Sequence, residues 1–256
     1  MPIKELLKPI SLKYLGKKEV SPYIYCFNFM PERPLKWEAG QHGIIAIKKD
    51  PTSKKTIKRS FSITSAPDEN IISIITRIPK DKADNFKTQL MALKKGDAAN
   101  LRGPIGNMRI RGLDQNYAFL ATGLSIAPFR SILKQLALSG GADTKITLFY
   151  VGSRDNHIFK DELSEFKLTL KNLSIEYIYK PDRITGQFVE DTLGEELYNT
   201  TFFLSGPPKT IKGYRRTLLG LGVAKNNIIR SRYLDYRSRL AIMLPLKNRQ
   251  PVNIDI

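Results

Sequence analysis

Cysteine occurs once in this 256-residue chain, at Cys26, and histidine twice, at His42 and His157. A single cysteine excludes an intramolecular disulfide and leaves no cysteine-based zinc site. It also leaves no ligands for a built-in iron–sulfur centre. Two histidines are too few for a histidine-rich metal centre, so no metal site is expected. Long apolar runs are absent. The longest, Tyr117 to Phe129, is too short and too interrupted to cross a bilayer. The first residues, Met1-Pro-Ile-Lys-Glu-Leu-Leu-Lys8, have no apolar h-region. The expectation is therefore a cytoplasmic chain without a signal peptide. Acidic residues are scarce as well, 24 against 42 lysines and arginines, a formal net charge of +18.

What is present suits a folded protein. Hydrophobic residues make up 41% and charged residues 26%, enough apolar material for a core, and the length allows one large domain or two modest ones. The positive excess is uneven. Residues 1–113 carry 22 basic and 10 acidic side chains, residues 114–256 carry 20 and 14. Such a field attracts acidic partners, whether nucleic acid, an anionic membrane or an acidic protein. A lysine-rich solvated surface accounts for the same numbers. No nucleic-acid-binding motif accompanies the charge, so nucleic acid is not expected as a partner.

The two parts of the chain differ in rhythm. Up to residue 113, short β-branched and aromatic runs alternate with turn signals: Tyr23 to Phe29, Gly43 to Ile47, Arg59 to Thr64 and Ile71 to Ile75. This predicts an antiparallel sheet or barrel. One helix interrupts it, Asp84 to Leu93, stopped by Lys94-Lys95-Gly96. From residue 116, strands predicted at Tyr117 to Ala121, Ile146 to Val151, Ile175 to Tyr179, Thr201 to Leu204 and Asn227 to Ile229 alternate with helices. The helices start at Pro128, Lys160, Phe188 and Pro208, the first stopping at Gly140-Gly141 and the third running to Leu197. Five strands and four helices in alternation predict a parallel sheet covered on both faces. The expected division is 1–113, 114–236 and a tail, 237–256, of unknown placement.

Ligands of such sheets bind at the carboxyl ends of the strands. Two of those turns, Thr122-Gly123-Leu124-Ser125 and Ser205-Gly206-Pro207-Pro208, carry glycine and run into a proline-started helix. Backbone N–H groups and a positive helix end exposed there suit phosphate. In the first part, Arg59-Ser60-Phe61-Ser62 places Arg59 and Phe61 on one face of a strand and Ser60 and Ser62 on the other.

The order of these motifs resembles the ferredoxin–NADP reductase family over about residues 10–236. Trp37-Glu-Ala-Gly-Gln41-His42 is similar to its Gly-Gln segment, and Arg59-Ser-Phe-Ser62 to its R-x-[YF]-[ST] flavin motif. Asn85-Phe-Lys-Thr88 stands where the family has G-x-x-[ST]. Gly103-Pro-Ile-Gly106 matches its junction motif, Ala121 to Leu133 its A-T-G-T-G-I-A-P-F-R-S nucleotide turn, and Ser205-Gly-Pro-Pro208 its C-G-x-P turn.

The resemblance implies a Greek-key barrel binding FAD followed by a five-stranded NAD(P)-binding domain. It gives Arg59 to the flavin diphosphate, Phe61 to stacking on the ring and Ser62 to the flavin edge, with Ser60 among the cofactor-binding residues. Asn85, Thr88 and the neighbouring amides go to the pyrophosphate. Arg77 takes a second cationic contact, or is a solvated strand-edge arginine. Thr122, Gly123, Gly206 and Pro207 go to the dinucleotide. Ser62, Ser205 and Tyr233 stand along the hydride path, with Tyr233 a ring cover or else a core tyrosine. Arg154, Lys180 and Arg183 follow the right strands to meet a 2′-phosphate, favouring NADPH over NADH.

Departures from the pattern are Leu124-Ser125 for Thr-Gly, Ser205 for cysteine and Ser231 for an acid. Losing a glycine at positive φ is expected to cost about 1 kcal/mol or to reshape the turn.

Three functions follow. The first passes electrons from NAD(P)H through FAD to an acidic carrier, ferredoxin or flavodoxin. The second is a free-flavin or ferric-chelate reductase. The third is a subunit or binding module with impaired nucleotide chemistry. The oligomeric state is not legible in the sequence.

Overall fold

A computed structural model describes residues 8–231, apart from 51, 53, 81–83, 142 and 154–156. The expectations for Arg154, Tyr233 and the tail 237–256 lie outside the described residues. In the first part, β1 (Ile10–Ser21), β2 (Ile24–Pro31), β3 (His42–Lys48), β4 (Thr56–Ser62), β5 (Ile72–Arg77) and β6 (Ala98–Ile105) form one curled antiparallel sheet. Its order is β4-β3-β6-β1-β2-β5. Helix α1 (Asn85–Ala92) lies between β5 and β6 in sequence. The period of two is clear in β1, where Ile10, Leu12 and Tyr14 point inward and Ser11 and Lys13 outward. Inward residues of all six strands meet Phe86 and Leu90 of α1 in one core.

The second part alternates β7 (Asn116–Thr122), α2 (Ala127–Ser139), β8 (Ile146–Gly152), α3 (Lys160–Thr169), β9 (Leu173–Tyr179), α4 (Gly186–Leu193), β10 (Thr200–Leu204), α5 (Pro208–Gly220) and β11 (Ile228–Arg230). The sheet is parallel, in the order β11-β10-β7-β8-β9. Its strands read as continuous apolar runs because both faces are covered. Every residue of β8 is buried. On one face, Phe119 is stacked between Phe129 of α2 and Phe203 of β10, with ring centroids 4.7 and 5.4 Å away. On the other, Leu120, Phe149, Phe202 and Leu204 pack with Val189 of α4 and Ile211 and Leu218 of α5.

The predicted architecture stands, with differences in detail. Strands β1 and β6 were not singled out in the sequence. Helix α4 stops at Leu193 because the chain turns at Gly194 (φ +53), and 194–199 continue as a 3-10 turn rather than as helix to Leu197.

The two halves are fastened by polar contacts from α2. Arg130, with 12% of its side chain exposed, donates to Glu69 and to the Thr64 carbonyl of the first half and to Glu162 of α3. Ser131 Oγ donates to the Ser65 carbonyl at 2.6 Å. Ile24, Ile75 and Met108 of the first half join the same apolar cluster as α2 and the parallel sheet.

Candidate functional site

Strand β4 distributes the arginine–serine motif over two faces. Arg59 and Phe61 both reach Phe86 of α1. The Arg59 guanidinium carbon lies 5.7 Å from the Phe86 ring centroid, and the Phe61 and Phe86 centroids are 5.7 Å apart. Phe61 is buried in the barrel core. Arg59 remains largely exposed and donates to Asp84 Oδ2 at 2.7 Å. Asp84 is the N-cap of α1, its other oxygen accepting from the Lys87 amide at 3.0 Å. Burial opposes the charged carboxylate, but the Lys87 amide and Arg59 outweigh it and hold Asp84 below the usual range. Thr88 Oγ1 donates to the Asp84 carbonyl at 3.1 Å. Asn85 opens the helix and is exposed, and Arg77 ends β5, also exposed.

The opposite face of β4 turns Ser62 into a crevice of about 760 Å³ between the halves. His42 and Gly106 line it from the first half, Tyr117, Phe203 and Ser231 from the second. Gly106 has φ +126, and a Cβ there would stand 3.0 Å from His42 Nδ1. The junction glycine therefore serves a close approach at the crevice wall. Arg109, Arg111, Arg215, Lys225 and Arg230 also line this space, and no aspartate or glutamate is among its described lining residues. Arg109 is paired with Glu38 outside it. Sequence reasoning did not single out these five cations. They come from the connection after β6, from α5 and from the β11 region, and no spacing links them.

The parallel sheet reverses its winding between β7 and β10, since β8 and β9 lie on one side of β7 and β10 and β11 on the other. The crevice outside such a switch point is where open α/β sheets take ligands. The turns that leave it are Thr122-Gly123 and Ser205-Gly206. A Cβ on Gly206 would come within 3.8 Å of Ser125 Oγ, so the two turns face each other. Gly123 has φ +54, and a Cβ there would meet nothing within 4 Å. The turn after it is reshaped rather than strained. Residues 123–126 form a 3-10 turn, closed by Ser125 Oγ, which accepts from the Thr122 amide at 2.7 Å and donates to the Thr122 carbonyl at 2.9 Å. Neither Leu124 nor Ser125 has positive φ.

Ser205 and Ser231 follow the adjacent strands β10 and β11. Their amides extend the ladder to Leu120 and Leu204. Their hydroxyls are buried and have no partner among the described residues. Trp37, Thr64, Thr144, His157 and Tyr177 also carry buried polar atoms without partners among the described residues; Ser231 differs from these in lining the crevice, where a polar ligand would satisfy it.

A second cleft, of about 850 Å³, opens at the carboxyl ends of β7, β8 and β9. Thr122, Lys180, Arg183, Lys209, Thr210 and Tyr214 line it. Thr122 Oγ1 and the Tyr214 hydroxyl are 3.1 Å apart. Burial raises the Tyr214 pKa, keeping it a neutral donor. Pro207 is exposed at the start of α5. Three cations and the first turn of α5, against one carboxylate, Asp182, among the described lining residues, make a donor set suited to phosphate.

Elsewhere the chemistry is closed off. Burial pushes the Cys26 thiol up to about 11, so it is not a thiolate nucleophile. No group of three metal-ligating side chains occurs among the described residues. No helix among them is long and apolar enough to cross a membrane.

The family model for the oxidoreductase NAD-binding domain matches residues 119–216. The chain is 26% identical over 177 residues to the toluate 1,2-dioxygenase electron transfer component of Pseudomonas putida, covering 66% of this chain and 52% of that protein. It therefore spans about half the length of that relative. It is 27% identical over 242 residues to NADH-cytochrome b5 reductase 1 of Mycosarcoma maydis, covering 87% and 73%. Among solved structures, a ferredoxin NADP+ reductase from Neisseria gonorrhoeae with bound FAD and NADP superposes with a TM-score of 0.72 at 21% identity, covering 88% of this chain and 98% of that one. The FAD/NAD-binding domain of nitric oxide dioxygenase from Vibrio cholerae gives 0.72 at 21%, covering 87% and 97%.

Proposed function

We propose that this chain, which belongs to the ferredoxin–NADP reductase-like family, is an NAD(P)H-dependent flavoprotein oxidoreductase that delivers single electrons to an acidic carrier protein such as ferredoxin or flavodoxin. One observation carries the reading. Among the described residues, the space between the halves is lined by Ser62, by residues of β7, β10 and β11 and by five cations, with no carboxylate. The lining residues fit a flavin ring on the chemistry of their donors: the Ser62 hydroxyl, and the buried Ser231 hydroxyl, which has no partner among the described residues. A bound flavin supplies the conversion of a two-electron donor into single-electron steps.

The chain's own residues do the positioning. Residues 1–113 supply the flavin half, with Ser60, Phe61 and Ser62 on β4. Residues 114–236 supply the nucleotide half. Gly123 and Gly206 let a dinucleotide approach the backbone at the switch point. Thr122 and Tyr214 hold each other across the floor of the second cleft. Lys180 and Arg183 stand in that cleft as point and fork donors for a 2′-phosphate, which favours NADPH over NADH. Closure of the halves by Arg130 fixes the distance between the two sets of residues, and catalysis of this kind depends on that distance.

The crevice cations give the carrier its sign. An acidic protein is drawn to such a surface, and its association rate falls as salt is added. The test is rapid mixing of the flavin-loaded protein with NADPH and with NADH, followed by bleaching of the visible flavin band. Bleaching faster with NADPH, then electron delivery to flavodoxin that slows with salt, supports the reading. A protein that is never bleached by either nucleotide overturns it.

A further inference from the structure

The flavin reading gives Arg59 and the start of α1 to the cofactor's phosphates, yet the chain places an anion of its own there. Asp84 uses both carboxylate oxygens on the groups a phosphate needs. One accepts from Arg59 Nη1 at 2.7 Å, the other from the Lys87 amide at 3.0 Å. The Phe86 ring stands 5.7 Å from the guanidinium carbon, so Arg59 is supported in this position from a second side. Phe86 is in turn held against Phe61 in the barrel core. An entering phosphate must displace the Asp84 carboxylate or share Arg59 with it, and like charges sharing one guanidinium repel. The crevice at Ser62 differs, since no carboxylate lines it among the described residues. Among the described residues, the ring's place carries no anion while the phosphate's place holds the Asp84 carboxylate.

We infer that Asp84 cancels phosphate recognition at Arg59, so that this chain grips a flavin by its ring system and exchanges it, accepting riboflavin, FMN and FAD alike. This rests on the flavin reading above and makes flavin an exchangeable ligand rather than a permanently held group. The substitution Asp84→Asn removes the charge and keeps the cap, because asparagine is as good an N-cap as aspartate. Asp84→Ser does the same with a different side chain.

The experiment titrates the full-length protein, stripped of flavin, with riboflavin, FMN and FAD, and follows quenching of flavin fluorescence. For the unsubstituted chain the three dissociation constants should agree within about threefold, as expected of an exposed guanidinium already neutralised. Asp84→Asn and Asp84→Ser should tighten FMN and FAD about threefold to fivefold, an effect that fades with salt, and leave riboflavin unchanged. FAD binding about a hundredfold tighter than riboflavin in the unsubstituted chain, or constants unmoved by both substitutions, overturns the inference and leaves the flavin reading standing. If no flavin binds to any of the three proteins, the flavin reading falls and this inference with it.

Discussion

Arg130 offers the sharpest test of how the two halves are joined. Its guanidinium is 12% exposed and meets two carboxylates, Glu69 and Glu162, each 22% exposed. It also donates to the Thr64 carbonyl at 3.2 Å. The Arg130→Ala substitution leaves Glu69 facing Glu162 without the shared guanidinium, with Lys134, 3.8 Å from Glu162, still near them. Removing one member of a buried ion cluster costs about 3–5 kcal/mol, and the residual exposure of these groups lowers that to about 2–3 kcal/mol. For a chain of this size, such a loss corresponds to a fall in Tm of about 4–12 °C. Urea unfolding followed by far-ultraviolet circular dichroism measures it directly. The charge, not the lost packing, is the cause under this argument. A triple substitution, Arg130→Met with Glu69→Gln and Glu162→Gln, should therefore recover most of the stability that Arg130→Ala loses. An Arg130→Ala protein within about 0.5 kcal/mol of the parent refutes the reasoning, because surface ion pairs behave that way and buried ones do not.

Phe119→Ala removes the middle ring of the Phe129–Phe119–Phe203 stack and should cost about 3–5 kcal/mol in the same unfolding experiment. Burial lowers the pKa of His157, which stands among Tyr150, Tyr177 and Tyr179 with ring centroids 4.9, 4.9 and 5.0 Å away. The unfolded chain then binds more protons than the folded one just below the ordinary value of 6.5, so stability falls as pH drops through that region; His157→Gln should flatten this slope in urea melts run from neutral to acidic pH. Lys180→Ala with Arg183→Ala should raise KM for NADPH about tenfold and leave NADH nearly unchanged, and equal effects on both nucleotides would remove the 2′-phosphate from the second cleft.

The parallel half was legible because its strands are buried on both faces and two of its helices, α2 and α5, carry proline in the first turn, signals that survive without any tertiary knowledge. The first half was less so. Strand β1 alternates apolar and polar residues but carries Lys13, Lys17 and Lys18, which blur an apolar run. Strand β6 runs through Gly103-Pro104, which reads as a turn. The glycine turns at Gly123 and Gly206 could be located because a backbone requirement is written into the residue type. Partnerships are not written that way. Arg59 meets Asp84 across 25 residues, and the charge on Asp84 changes what Arg59 can hold.

The crevice makes the same point more strongly. Its five cations come from separate segments of a chain with 42 basic side chains, so no pattern marks them in advance. Cations alone would not mark them in the fold either, because a surface this basic produces such groups by composition. What distinguishes the crevice is that its cations share the lining with Ser62 and Ser231, and that the buried Ser231 hydroxyl has no partner among the described residues. A buried hydroxyl loses its water on folding and, among the described residues, the Ser231 hydroxyl gains no partner in exchange, a loss of about 1–3 kcal/mol. A chain that needed this position only for packing would be more stable with alanine. Serine there therefore argues for a polar ligand between the halves, independently of the net charge.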